Sequence, residues 1–193
     1  MRLNILNTGY SFGTKLLFAF IRAMSRQPLP DAAKIIFYRP DFYGAHMRKI
    51  TQFAMRGVSE WSVAERELMA AYISKLNNCP FCIAAHTATS TLAYRDQNKV
   101  LKVLSDLDTA PITEPLRATL RLLKTLTTEQ TINSEDIWRV KSTGVSAQQI
   151  KDALGVCFAF NTTNRLADAF GFEVFSQKAI ESGAKYLLSQ GYR

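Results

Sequence analysis

The stretch Asn78-Cys79-Pro80-Phe81-Cys82-Ile83-Ala84-Ala85-His86 holds two of the chain's three cysteines and one of its two histidines within eight positions. Asn77-Asn78 reads as the end of one helix. Pro80 suits the first turn of the next, where its missing N–H costs nothing. Cys79 then falls at or beside the N-cap and Cys82 in the first turn. Free amides and the positive end of a helix stabilise a thiolate, and thiols placed there can titrate at roughly 3.5–7.5 instead of about 8.5. One helical turn separates the two sulfurs, so closing a disulfide needs only local adjustment. His86, four residues after Cys82, shares its helical face and can act as acid or base toward a thiol.

Working outward, almost every periodic segment is helical. Before the motif, Ser62 and Glu65 form a capping box that opens a helix from about Val63 to Lys75, with Leu68, Ala71, Tyr72 and Leu76 as its apolar side. Glu67 lies on this helix, and an antiparallel hairpin turning at Asn77-Asn78 would carry it back against His86. Further upstream, residues 14–24 are amphipathic, and Pro28, Pro30 and Pro40 punctuate a connecting region in which 32–37 is too short to assign. After the motif, helices are expected over 98–107, along the leucine face 116–126 and over 136–141. A second capping box, Ser146 with Gln149, opens a long helix that Gly171 stops near Phe170, and 178–190 forms the last helix. Strand alternation and Asn-Gly or Asp-Gly hairpins are absent. The class is all-α. Gly-Val-Ser at 57–59 recurs at 144–146, a hint of a repeated helical hairpin.

Composition sets the outer limits. A chain of 193 residues that is 47% apolar and 21% charged can bury a sizeable core and reads as a single domain. It divides into an N-terminal helical extension, 1–40, and a main domain, 41–193. The net charge is +8, and residues 1–60 supply +6 of it from nine Lys/Arg against three acids. These charges are scattered singly, as on a solvated basic face or at subunit contacts. Neither a helix-turn-helix with a basic recognition helix nor an aromatic stacking motif accompanies them, so nucleic acid is not an expected partner. Three cysteines do not make a secreted disulfide scaffold, no apolar run is long enough to span a membrane, and residues 15–24 lack a cleavage site; a cytoplasmic location is expected.

The spacing of the motif leaves three readings open: a redox pair, two small buried hydrophobes, or zinc ligands. A structural zinc site commonly needs four ligands, and here Cys157 would have to complete the set, since His46 lies in a separate region. On the long helix, Ile150, Leu154, Cys157, Asn161, Asn164 and Asp168 follow one face. Asn161 and Asn164 read as a polar network bridging helices, or as lining for the redox pocket, and Arg165 is placed to pair with Asp168. His46 with Tyr38, Phe42 and Tyr43 reads as ordinary packing or as a substrate entrance.

Glu67, Cys79, Cys82 and His86 together stand in the pattern Glu-x11-Cys-x2-Cys-x3-His. This resembles the alkylhydroperoxidase D-like proteins of the carboxymuconolactone decarboxylase family. Residues 59–72 and 160–171 resemble its uncharacterised peroxidase-related branch, and the likeness spans roughly 40–175. It implies an all-α, alkylhydroperoxidase D-like helical bundle that assembles as a homotrimer or homohexamer. It also implies a thiol peroxidase without metal or bound cofactor, in which Glu67, Cys79, Cys82 and His86 are catalytic. The cysteine pair would reduce a hydroperoxide and be reset by an external dithiol, either a lipoyl group or a thioredoxin-like donor. One position departs: studied members carry a second histidine between the cysteines, where this chain has Phe81. The family's decarboxylase branch lacks the Cys-x-x-Cys, so the pair argues against that chemistry. In the expected cycle a Cys82 thiolate, kept by His86, attacks the O–O bond and Cys79 resolves the sulfenic acid. The alternative is a non-enzymatic redox sensor or interaction protein switched by the same disulfide.

Overall fold

The helix Val63–Leu76 organises the molecule because it is buried on every side. In the computed structural model, which describes residues 8–27, 29–38, 40 and 44–192, all nine residues from Arg66 to Ser74 are buried. A helix buried all round has no polar face, so its apolar periodicity is weak. The single apolar side read from the sequence is therefore only part of its contact surface.

In chain order the described helices are α1 (Phe12–Ser25), α2 (Asp31–Tyr38), α3 (Ala45–Arg56), α4 (Val63–Leu76), α5 (Pro80–Tyr94), α6 (Gln97–Ser105), α7 (Glu114–Glu129), α8 (Ser134–Lys141), α9 (Ala147–Phe170) and α10 (Gln177–Gln190). No strand occurs among the described residues. Two of these helices go beyond the sequence reading. The segment around 32–37 is the helix α2. The sequence gives no start signal for α3, because its N-cap, Gly44, offers no side chain to cap the first amides.

Both expected capping boxes form. Ser62 Oγ accepts from the Glu65 amide while the Glu65 carboxylate accepts from the Ser62 amide. Ser146 and Gln149 do the same at the start of α9. The repeated Gly-Val-Ser does not mark equivalent positions. Ser146 is a cap, whereas Ser59 Oγ donates to Asp152 Oδ2 at 2.5 Å and the cap of α4 comes three residues later. At its C-terminal end, α9 stops at Gly171 (φ 63°), a left-handed residue that suits glycine.

The core packs α4 against α7 and α9, with α6 and α8 closing the far side. Leu68, Met69, Ile73, Leu120, Leu123, Val100, Val103 and Phe160 are among its buried side chains. Trp61 locks the loop before α4 onto α9 by donating from Nε1 to the Gln149 carbonyl at 2.9 Å. Arg66 donates to the Ala54 and Gly57 carbonyls, placing a cation at the C-terminal end of α3, where the helix dipole favours it. Asn78 adopts a left-handed conformation (φ 52°), and the Cys79 amide donates back to the Ser74 carbonyl at 3.0 Å. This tight turn makes α4 and α5 an antiparallel hairpin. Finally, α10 packs on α5 and brings the C-terminus back to the hairpin.

Among the described residues, no helix is long and apolar enough to cross a membrane. Phe160 is 2% exposed and fills the space between core and hairpin. Phe160→Ala is expected to cost about 3–5 kcal/mol, measured as a lowered urea midpoint. Ser146→Ala, which removes one cap bond, should cost only about 1 kcal/mol by the same assay.

Candidate active site

The α4–α5 hairpin brings Glu67 and His86 together across 19 residues of sequence. Glu67 Oε2 lies 2.8 Å from His86 Nδ1, and the carboxylate is fully buried. A buried carboxylate needs compensating donors, and two more converge on it. Arg56, the last residue of α3, donates from Nη2 to Glu67 Oε1 at 2.7 Å. Tyr192, two residues past α10, donates its hydroxyl to Oε1 at 3.0 Å and lies 3.3 Å from Oε2. Burial pushes the Glu67 pKa up, but the bonds and charges of His86 and Arg56 outweigh it. The net direction is downward, so Glu67 is ionised at neutral pH. Burial and the Glu67 charge push Tyr192 well above its ordinary value, so its hydroxyl stays protonated and donates.

The imidazole of His86 is clamped between rings. Phe160 meets it edge-on at 4.4 Å between centroids, and Tyr192 stacks on it at 6.4 Å with the planes 19° apart. Arg56 is fixed in turn by donating to the Met55 and Leu187 carbonyls, both at 2.8 Å, and lies 5.1 Å from the Tyr192 ring centroid. The sequence reading placed neither Arg56 nor Tyr192 at this site. Arg56 sat on an unassigned helix, and Tyr192 follows the last periodic segment.

Cys79 is the N-cap of α5 and Cys82 lies in its first turn. Both are free thiols, each 1% exposed. They form a small apolar cluster with Ala167, covered by Phe81 and Phe172. Phe81 packs edge-on against Phe172 (5.3 Å) and Phe175 (6.5 Å). The position that holds a histidine in the resembled proteins is thus part of an aromatic roof. The two thiols are unequal. The hydrogen bond from Cys82 holds the Cys79 thiol below its ordinary value. That same bond, with burial, pushes Cys82 well above. Asp168 lies close enough to oppose ionisation of both.

The other candidate residues separate from this centre. Cys157 is buried in the main core beside Thr127 (3.7 Å), and burial raises its pKa. Asn161 and Asn164 bridge helices, as the network reading expects. Asn77 Nδ2 donates to Asn161 Oδ1 at 2.9 Å, and Ser74 Oγ to Asn164 Oδ1 at 3.1 Å. Arg165 does not pair with Asp168 but turns back to the Asn161 carbonyl at 3.3 Å. His46 is exposed on the first turn of α3, Tyr38 ends α2, and Phe42 and Tyr43 lie outside the described residues. Among the described residues, no group of three or more His, Cys, Asp or Glu is placed to hold a metal ion.

The depressed Glu67 pKa has a consequence for stability. A carboxyl whose folded pKa lies below its unfolded value, about 4.3, stabilises the fold fully above that value and loses the contribution as pH falls through the folded pKa. Glu67→Gln is therefore expected to lower stability at pH 7 by about 3–5 kcal/mol, because it leaves Arg56 buried without its partner. It should also flatten the fall in urea midpoint below pH 5 relative to the parent. An unchanged acid slope would show that Glu67 is not the linked group.

No family model matches the chain, and no curated protein does either. Solved structures share its fold. An uncharacterised peroxidase-related protein from Silicibacter sp. TM1040 superimposes with a TM-score of 0.76 at 22% identity, over 90% of this chain and 91% of that one. An alkylhydroperoxidase AhpD core, an uncharacterised peroxidase-related protein from Ralstonia eutropha JMP134, gives 0.75 at 17% identity with the same coverage. The debrominase Bmp8 gives 0.67 at 15%, again over 90% and 91%. The chain has the all-helical fold of the alkylhydroperoxidase AhpD core and of the peroxidase-related proteins that share it.

Proposed function

We propose that this protein is a thiol-dependent peroxidase that reduces hydroperoxides through a Cys79/Cys82 dithiol–disulfide cycle, with Glu67 and His86 handling the proton. The observation that carries the reading is the paired thiols beside a buried, ionised Glu67–His86 dyad. The fold shared with peroxidase-related proteins supports it.

The unequal thiols favour an order of events opposite to the one expected from the sequence. Cys79, at the N-cap and with its thiol held below the ordinary value, is the better thiolate. It attacks the terminal peroxide oxygen. The O–O bond breaks, the alkoxide takes a proton to leave as an alcohol, and Cys79 becomes a sulfenic acid. Cys82 then attacks the Cys79 sulfur, His86 takes the thiol proton and passes it to the departing hydroxide, and water leaves with the disulfide in place. Glu67 holds the Nδ1 proton of His86, which leaves Nε2 free as the base. A dithiol donor of the lipoyl or thioredoxin-like class reduces the disulfide and closes the cycle.

The aromatic roof over the thiols favours peroxides with an apolar substituent. Phe12, Leu16, Phe20 and Met24, spaced four apart on α1 and all exposed, give the chain an apolar stripe suited to a homo-oligomer, a trimer or hexamer.

Peroxide consumption with dihydrolipoamide as donor tests the proposal. The parent should turn over many times, and Cys79→Ser, Cys82→Ser and His86→Ala should each lose at least about a hundredfold. A single oxidation without turnover would move the protein to the sensor class. Dimedone trapping after one equivalent of peroxide assigns the first step. Labelling is expected in Cys82→Ser, which keeps Cys79; labelling confined to Cys79→Ser would reverse the order.

A further inference from the structure

We infer that Tyr192, the penultimate residue, is a positioning residue of the proton relay: its hydroxyl sets how strongly Glu67 holds the His86 proton. The inference rests on the dithiol reading of the site. The supporting geometry is independent of the cysteines. Tyr192 Oη lies 3.0 and 3.3 Å from the two Glu67 oxygens and 3.4 Å from His86 Nδ1, so it sits over the bond that orients the imidazole. Its ring packs against the Arg56 guanidinium and the His86 ring. Its backbone amide donates to Gln52 Oε1 at 2.7 Å, which pins the chain end to α3.

Placement adds a second argument. The Tyr192 ring lines a surface groove of about 240 Å³ together with Arg48, Lys49 and Gln52, a groove that neither Glu67 nor His86 reaches. Tyr192 therefore touches both the buried dyad and this groove. Gly191 (φ 70°) makes this possible, since a Cβ there would lie 2.5 Å from Gln52 Oε1.

The electrostatics fix the sign of the effect. Glu67 faces Arg56 from α3, His86 from α5 and Tyr192 from the C-terminus, and the charge of Cys82 is felt at Tyr192. A hydroxyl donated to the carboxylate spreads its charge and weakens its hold on the imidazole proton. Removing the hydroxyl leaves the carboxylate a stronger acceptor, so Glu67 holds the imidazole proton more tightly and the ring is less available as a base.

A two-step thiol titration reads this without peroxide. Cys79 attacks 4,4′-dithiodipyridine, its disulfide bond breaks and one thiopyridone leaves. Cys82 then gives its proton to the relay and displaces the second thiopyridone as the protein disulfide closes. In Tyr192→Phe, which keeps the ring and the backbone bond, the first release should match the parent. The second should slow roughly threefold to tenfold at pH 7, with its pH midpoint raised. Incorporating 3,5-difluorotyrosine at 192, a stronger donor of the same shape, should move the midpoint the opposite way. Equal second-release rates and midpoints in parent and Tyr192→Phe would overturn the inference, as would equal midpoints in parent and fluorinated protein should the phenylalanine variant not fold. Failure of the parent to consume peroxide would sink the proposed peroxidase while leaving this titration to decide the role of Tyr192.

Discussion

A fully buried carboxylate is the constraint on which the rest of the structure depends. Glu67 has no exposure to water, and an uncompensated charge there would cost several kcal/mol or be lost by protonation. It is kept ionised by donors from three separate parts of the chain: the end of α3, the middle of α5 and the C-terminus. Each must be delivered to within hydrogen-bonding distance, so the packing of α3, the tightness of the α4–α5 turn and the docking of α10 are all tied to one side chain. Arg56 strengthens the tie by donating also to the Leu187 carbonyl, so the cation that neutralises Glu67 anchors the last helix as well.

The thiol pair answers a different physical demand. Two cysteines one turn apart would be near equivalent in water, but here the fold makes them unequal. Cys79 is an extended residue at the helix start with its thiol held below the ordinary value, while Cys82, in the first turn, is pushed well above it. Asp168 counteracts ionisation at both positions. The roof of Phe81, Phe172 and Phe175 excludes water and strengthens every one of these interactions.

Much of this was legible in the sequence wherever a local rule acts. Capping boxes at Ser62 and Ser146, Gly171 as a stop and Pro80 in a first turn each express a preference satisfied within a few residues. Glu67 and His86 could be paired because one short turn connects their helices. What was not legible depends on long-range delivery. Arg56 and Tyr192 are 11 and 125 residues from Glu67, and no periodicity links a polar residue after a weakly signalled helix to a carboxylate elsewhere. The all-round burial of α4 was hidden for a related reason: polar Arg66, Glu67 and Ser74 interrupt its apolar pattern, and their burial follows only from partners supplied by α3, α5 and α9.

The same logic explains why the order of the two cysteines could not be read from spacing. The i,i+4 relation of Cys82 to His86 points to Cys82 as the thiolate, since a base one turn away can take its proton. Burial of Cys82 and its packing against Cys79 act the other way, and both depend on tertiary packing. An imidazole one turn from a protonated thiol is better matched to a later event, when Cys82 must lose its proton as the disulfide closes. In the proposed cycle the relay then serves the resolving step, and the helix N-terminus serves the attack. This division assigns each half of the Cys-x-x-Cys-x-x-x-His pattern to a separate stage of the proposed cycle.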